Sequence, residues 1–210
     1  MFSEDHATFV HTASPLAGAA RWFVRGRDGR TLGELRSVGE TPAIRPRLEF
    51  TTVGDSLDCH AVLVRPHDFD AARRYPVIVS VYGGPHGQQV TKSAQGYLIQ
   101  QWMANHGFIV VSIDGRGTPG RGRAWERAIK WNLIEVPLHD QVETLQALGR
   151  RYPEMDLTRV GIYGWSFGGY FSALALARRP AVFSAAVAGA PVADWRNYDT
   201  HYTERYMGLP

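Results

Sequence analysis

The spacing of apolar residues changes part-way along the chain and divides it into two parts. In the first part, turn residues separate three short strand-like segments of mixed polarity, at 7–12, 21–24 and 31–35. Three such strands cannot enclose a core alone, so they are expected to belong to a larger β-structure. The next stretch, 37–47, contains two prolines and is typical of a linker.

Strands and helices are predicted to alternate in the second part. Nearly continuous apolar runs favour strands buried on both faces, and segments with helical spacing separate them. The predicted strands are 48–53 and 57–64, an antiparallel pair with a turn at Gly54-Asp55, then 76–82, 108–114, 160–163 and 183–188. The predicted helices are 93–105, 140–151 with Asp140 as its cap, and 167–177. This alternation is typical of an α/β domain, with a mostly parallel sheet and helices on both faces.

Residues 164–169 match G-x-S-x-G and lie between a predicted strand and a predicted helix. A sharp strand-to-helix turn here would expose the Ser166 hydroxyl at the carboxyl edge of the sheet. Glycines relieve crowding in so tight a turn, and the helix start would place the Phe167 amide where an oxyanion forms. The alternative is that the glycines only permit close packing of strand and helix. Because motif and setting agree, we predict a nucleophile elbow with Ser166 as nucleophile.

A second glycine-rich loop, 83–87, directly follows the first predicted buried strand. Such a loop can approach the nucleophile and supply a second oxyanion donor. The Tyr82 hydroxyl is one candidate for that donor. A simple turn with an exposed tyrosine is the other interpretation, and the loop alone leaves both open.

Composition and charge exclude several classes of protein. The 210 residues are 44% hydrophobic and 20% charged, as in globular rather than disordered chains. A net charge of +3, from 23 basic and 20 acidic residues, is too small and scattered to indicate nucleic acid or an acidic membrane surface. One cysteine, Cys59, permits no internal disulfide. The apolar stretch 181–193 is far short of the roughly 18 residues of a membrane helix.

Three further patterns are interpreted as structural. Residues 115–120 match G-x-G-x-x-G, but no opening helix or acidic partner follows, so no nucleotide site is predicted. The eight histidines lack metal-ligand spacing, so no metal site is predicted. A basic stretch lacks any recognised nucleic-acid module and is interpreted as a solvated or ion-paired loop. Its arginines are Arg116, Arg121, Arg123 and Arg127.

Four segments together resemble the prolyl oligopeptidase family of serine peptidases, and most closely its dipeptidyl peptidase IV branch. They are 81–87, 114–117, 164–169 and the run 191–210, of which the part 195–210 is specific to that branch. The resemblance implies an incomplete α/β-hydrolase domain over 45–210, preceded over 1–44 by the end of a β-propeller and a linker. It also implies hydrolysis of peptides after a penultimate Pro or Ala, releasing N-terminal dipeptides without a cofactor, and a homodimeric parent protein.

The resemblance assigns roles by position. Ser166 would be the nucleophile, and the Tyr82 hydroxyl and Phe167 amide would form the oxyanion hole. The residues matching the pocket for a proline ring are Val192, Trp195, Tyr198 and Tyr202, with the Phe167 side chain beside them. Aromatic walls suit a rigid apolar ring. Tyr198 and Tyr202 would share a face if both lay on a helix, although ordinary core packing would also explain the aromatic residues.

The triad's acid and base are expected beyond Pro210, and the acidic residues that bind the substrate's amino group are expected upstream. Asp194, Asp199, His201 and Glu204 follow Ser166, but they fall in the pocket-like segment, too early for the triad of this family. The isolated chain is therefore expected to be inactive, because a serine without a base is a weak nucleophile. Alternatives are another peptidase of this family, an esterase, or a non-catalytic piece that binds a partner.

Overall fold

The computed structural model describes residues 1–16, 18–54 and 57–209. These residues form one three-stranded and one six-stranded β-sheet. Of the predicted turn at Gly54-Asp55, Asp55 lies outside the described residues, as does Pro210.

The smaller sheet is antiparallel and confirms the three strands predicted before the linker. Its strands are β1 (Thr8–Ala13), β2 (Arg21–Gly26) and β3 (Thr31–Leu35), with β2 in the middle. Every residue of β3 is exposed, as expected of a strand in a sheet too small to enclose a core. The domain boundary between residues 44 and 45 stays a prediction.

The larger sheet is mostly parallel, as predicted. Its strands are β4 (Leu48–Val53), β5 (Cys59–Val64), β6 (Tyr75–Val81), β7 (Ile109–Asp114), β8 (Met155–Trp165) and β9 (Ala185–Gly189). In the order β4-β5-β7-β6-β8-β9, the first two pairings are antiparallel and the other three parallel. The carboxyl ends of β6 and β8 therefore meet at one edge of the sheet, because Val81 pairs with Gly164.

Helices cover both faces of this sheet. They are α1 (Leu98–Asn105), α2 (Arg123–Arg127), α3 (Glu135–Arg151), α4 (Phe167–Arg178) and α5 (Thr200–Met207), with 3-10 turns at Ala94–Tyr97 and Trp195–Asn197. Leu145 of α3 and Phe171 of α4 share a buried cluster with Val79 of β6. Tyr97, just before α1, shares a second cluster with Val110 of β7, on the opposite face. Among the described residues, no helix is long and apolar enough to cross a membrane.

The prediction that Asp140 caps a helix was wrong. Helix α3 begins at Glu135, and the Asn132 side chain accepts the Glu135 N–H at 3.0 Å. Pro137 fits in the first turn, where its missing N–H has no partner to lose. Asp140 lies inside the helix, fully buried, and accepts hydrogen bonds from both the backbone and the guanidinium of Arg116. Arg116, one of the four arginines of the basic stretch, is thus ion-paired.

Candidate active site

Ser166 occupies a sharp turn between β8 and α4. Its backbone lies at φ +58° and ψ −116°, a region that residues other than glycine rarely adopt. The Ser166 N–H donates to the Gly189 carbonyl at 2.9 Å, and its carbonyl accepts the Tyr170 N–H at 3.0 Å. These bonds to β9 and α4 hold the turn in the strained geometry expected of a nucleophile elbow.

The glycines beside Ser166 permit very close backbone packing. A Cβ added at Gly164 would lie 2.3 Å from the Gly168 carbonyl oxygen, and one at Gly168 would lie 2.2 Å from the Val81 oxygen. Both distances are shorter than real Cβ contacts allow. The glycines therefore do permit close packing of strand and helix. This packing does not require the positive φ of Ser166, and such strained backbone conformations cluster at active sites.

The two predicted oxyanion donors lie at this same edge. Tyr82 directly follows β6, whose end pairs with the end of β8, and its ring centroid lies 5.6 Å from that of Phe167. Burial raises the pKa of the Tyr82 hydroxyl, so this group stays protonated and able to donate. Within the described ranges, the Phe167 N–H at the start of α4 makes no backbone hydrogen bond. Tyr82 is half-buried, in contrast to the exposed tyrosine of the alternative interpretation.

The aromatic residues predicted to hold a proline ring form one cluster. Trp195 and Tyr202 stack with ring centroids 5.9 Å apart and planes 5° from parallel. Phe167 lies 5.7 Å from Trp195, and Tyr198 stands perpendicular to both Trp195 and Tyr202. We call these four residues the aromatic slot. One of its members, Phe167, directly follows Ser166 in the chain.

Val192, the remaining predicted pocket residue, is half-buried three positions before Trp195. No contact between Val192 and the aromatic slot is described, so its place in the pocket stays a prediction.

Tyr198 does not lie on a helix with Tyr202. It follows the 3-10 turn Trp195–Asn197 in an extended conformation, and α5 begins only at Thr200. Asp199 starts that helix, since its side chain accepts the Tyr202 N–H at 2.8 Å. The two rings still meet, with centroids 5.4 Å apart, because the capped turn folds Tyr198 back onto the helix.

Two polar atoms of the slot are buried without a hydrogen-bond partner among the described residues: Trp195 Nε1 and the Tyr202 hydroxyl. Burial, reinforced by the nearby Tyr82 phenol, raises the pKa of Tyr202 well above its usual range. The Tyr202 and Tyr82 hydroxyls interact without the geometry of a hydrogen bond. Buried polar groups are usually paired, and among the described residues Trp195 Nε1 has no such partner.

Two of the acidic residues after Ser166, Asp194 and Asp199, have structural partners. Asp194 pairs with Arg196 at 2.6 Å, and hydrogen bonds from Arg196 lower the pKa of that carboxyl to about 2. Asp199 caps α5. In the part of the chain that is described, the Ser166 hydroxyl makes no hydrogen bond to any carboxylate or histidine.

His86 and Tyr206 make a contact that the sequence did not predict. The Tyr206 hydroxyl and His86 Nε2 are hydrogen-bonded, and the Tyr206 ring meets the Tyr202 ring edge-on, with centroids 4.9 Å apart. Tyr202 and Tyr206 are one helical turn apart, a spacing that indicates a shared face. Nothing in the sequence indicates that Tyr202 or Tyr206 lies near His86, because His86 is 120 positions from Tyr206.

The fold and the turn at Ser166 define a class of protein. A serine in a strained strand-to-helix turn, at the carboxyl edge of a mostly parallel sheet, is typical of the α/β-hydrolases. The chain belongs to the prolyl oligopeptidase family, whose model matches residues 95–210. Its similarities place it in the dipeptidyl peptidase IV branch of that family.

Similar proteins are much longer than this chain. Dipeptidyl peptidase 8 from Homo sapiens is 44% identical over 181 residues, which cover 84% of this chain and 20% of that protein. A probable dipeptidyl-aminopeptidase B from Tuber melanosporum (strain Mel28) is 42% identical over 167 residues, covering 79% and 18%. The crystal structure of Porphyromonas gingivalis dipeptidyl peptidase 4 is 36% identical with a TM-score of 0.85, covering 100% of this chain and 31% of that one. The chain thus spans about a fifth of the curated relatives' length.

Proposed function

We propose that the protein carrying this chain is a serine dipeptidyl peptidase that releases N-terminal dipeptides after a penultimate Pro or Ala. The observation that carries the proposal is the strained Ser166 turn directly beside the aromatic slot. The three similar proteins described above are dipeptidyl peptidases or a probable dipeptidyl-aminopeptidase, which supports the same activity.

In the proposed reaction, Ser166 Oγ attacks the carbonyl carbon of the penultimate proline or alanine. A histidine outside the 210 residues takes the serine proton and later gives it to the leaving amine. The Tyr82 hydroxyl and Phe167 N–H donate to the oxygen that becomes negative in the tetrahedral intermediate. Collapse breaks the peptide bond and leaves the dipeptide as an ester on Ser166. Water then hydrolyses this ester, with the same histidine acting as base.

The aromatic slot supplies the specificity of the proposed enzyme. A proline ring is flat, rigid and apolar, so it loses little conformational freedom when it enters a slot walled by Trp195, Tyr198 and Tyr202. Alanine is small enough for the same slot. Val192 is proposed as a further wall. Acidic residues elsewhere in the longer protein would bind the free amino group and fix the cut at two residues.

The organisation of the longer protein follows from the same proposal. Residues 1–44 would end a propeller and a linker, residues 45–210 would begin the catalytic domain, and the assembled protein would be a homodimer. The 210 residues by themselves would be inactive, because their described part brings no base to Ser166.

Product analysis of the full-length protein tests the proposed function. We expect Xaa-Pro dipeptides to be released from peptides with a free amino terminus. The same peptides with an acetylated amino terminus should not be cleaved. The purified 210-residue chain, assayed in parallel, should release nothing. Release of tripeptides or acylated residues would instead indicate another peptidase of this family. Hydrolysis of simple esters only would indicate an esterase.

A further inference from the structure

We infer that His86 and Tyr206 form a positioning pair that holds the Tyr82 hydroxyl in place for catalysis. This inference rests on the proposed function. The two residues would affect catalysis indirectly, by fixing the position of Tyr82. Neither His86 nor Tyr206 belongs to the aromatic slot or to the predicted oxyanion hole.

The pair connects two segments that are distant in the sequence. His86 lies in the glycine-rich loop after β6, and Tyr206 lies near the end of α5. His86 Nε2 and the Tyr206 hydroxyl are hydrogen-bonded, and the two rings meet edge-on with centroids 5.5 Å apart. His86 also lies 5.8 Å from the Tyr202 ring. One histidine therefore joins the loop that carries Tyr82 to the helix that carries part of the slot.

The loop folds tightly over the Tyr82 ring. A Cβ added at Gly87 would lie 2.7 Å from Tyr82 Cδ1, so the Gly87 backbone sits directly against that ring. His86, the residue before, has φ +70°, a left-handed conformation that is uncommon for residues other than glycine. Because His86 and Gly87 are adjacent, a force that fixes His86 also fixes the surface on which the Tyr82 ring rests.

The helix side of the pair is anchored independently. The Tyr206 carbonyl accepts the Trp131 N–H at 3.0 Å, and its ring lies 4.9 Å from Tyr202. Tyr202 in turn stacks on Trp195. The Tyr206 hydroxyl is therefore a fixed hydrogen-bond partner for His86. Through this bond, the position of the loop 83–87 depends on the aromatic slot.

A hydrogen-bond donor stabilises an oxyanion only if it is already aimed at the developing charge. If the loop 83–87 were more mobile, the Tyr82 hydroxyl would occupy several positions. The donor would remain, but it would stabilise the oxyanion less. The loss would appear in kcat and leave KM nearly unchanged, because the bond to the oxyanion strengthens only in the transition state. A pair that serves stability alone would lower the melting temperature and leave kcat unchanged.

A double-mutant cycle in the full-length protein tests this coupling. Tyr206→Phe keeps the ring and removes the hydroxyl that bonds His86. We expect kcat for an Xaa-Pro substrate to fall about 5- to 20-fold, less than the loss of the donor itself. In a Tyr82→Phe background the same change should lower kcat by less than about twofold, since the donor that the pair positions is absent. Tyr152→Phe, which removes a hydroxyl bonded to Glu49, is the matched control and should leave kcat unchanged.

An equal loss in both backgrounds, or no loss in the wild-type background, would overturn the inference. The rate of covalent inactivation by a fluorophosphonate provides a second readout that does not depend on peptide specificity. If the wild type releases no dipeptide but reacts with the fluorophosphonate, the proposed function fails while the cycle is still measured by inactivation rates. A wild type that reacts with neither would overturn both.

Discussion

Replacing Ser166 by alanine is expected to lower kcat on an Xaa-Pro chromogenic substrate by a factor on the order of 10⁶, as in other serine hydrolases that lose their nucleophile. The strained turn aims one hydroxyl at the sheet edge, and no other serine of the described chain occupies such a turn. Alanine has no oxygen to form the ester, so only binding and the oxyanion donors would remain. Purified full-length variant and wild type would be compared by steady-state kinetics.

The control for this variant is Ser184→Ala, which changes an exposed serine between α4 and β9. It should keep the wild-type rate. Circular dichroism and the melting temperature would establish that Ser166→Ala is folded, since its backbone must still adopt a positive φ. Activity at a tenth of the wild-type rate or more would refute the assignment of Ser166 as nucleophile.

Replacing Tyr82 by phenylalanine is expected to lower kcat by about 10²–10³, with a much smaller change in KM. Phenylalanine keeps the ring and its packing against Phe167 and Gly87 and deletes only the hydroxyl. Burial raises the pKa of this hydroxyl, which favours its protonated form and keeps the donor present in the wild type. Loss of an interaction made only in the transition state lowers kcat and kcat/KM together.

Steady-state kinetics on an Xaa-Pro substrate separates this role from simple packing. If Tyr82 only packs, the phenylalanine variant changes kcat by less than about threefold, because the ring is unchanged. If the variant is folded and its kcat is near normal, Tyr82 is not the second oxyanion donor. That role would then be assigned to a backbone N–H of the loop 83–87.

Local patterns allowed much of the fold to be predicted from the sequence. The apolar runs of β6 and β7 matched their strands to within a residue, because strands buried on both faces leave little room for polar residues. The sharp turn between β8 and α4 was equally predictable. Its glycines and serine lie within six positions, and the backbone contacts at Gly164 and Gly168 explain why larger residues do not fit there.

Features that depend on distant contacts could not be predicted. Asp140 looks like a helix cap, because an acidic residue before apolar spacing is typical of one, and only the tertiary structure shows Arg116 beside it. The strand β8 is longer than predicted, since Met155 and Asp156 pair with the start of β6 beyond a register shift. The bond between His86 and Tyr206 joins two segments that no sequence period relates.

The position of Tyr198 shows how a correct contact can have the wrong cause. Spacing suggested that Tyr198 and Tyr202 share a helical face. The rings do meet, but a cap at Asp199 separates Tyr198 from α5 and turns it back toward Trp195. The contact therefore depends on the capped turn and not on helical periodicity.

Covalent labelling of the full-length protein tests the central claim most directly. An Xaa-Pro phosphonate ester places a proline ring in the slot and a phosphorus atom where the peptide carbonyl would lie, and it reacts only with an activated nucleophile. After labelling, digestion and mass spectrometry, we predict one adduct, on Ser166, that an excess of a Xaa-Pro peptide prevents. An adduct on another residue, or no adduct in a folded protein, would contradict the assignment of this elbow as the catalytic centre.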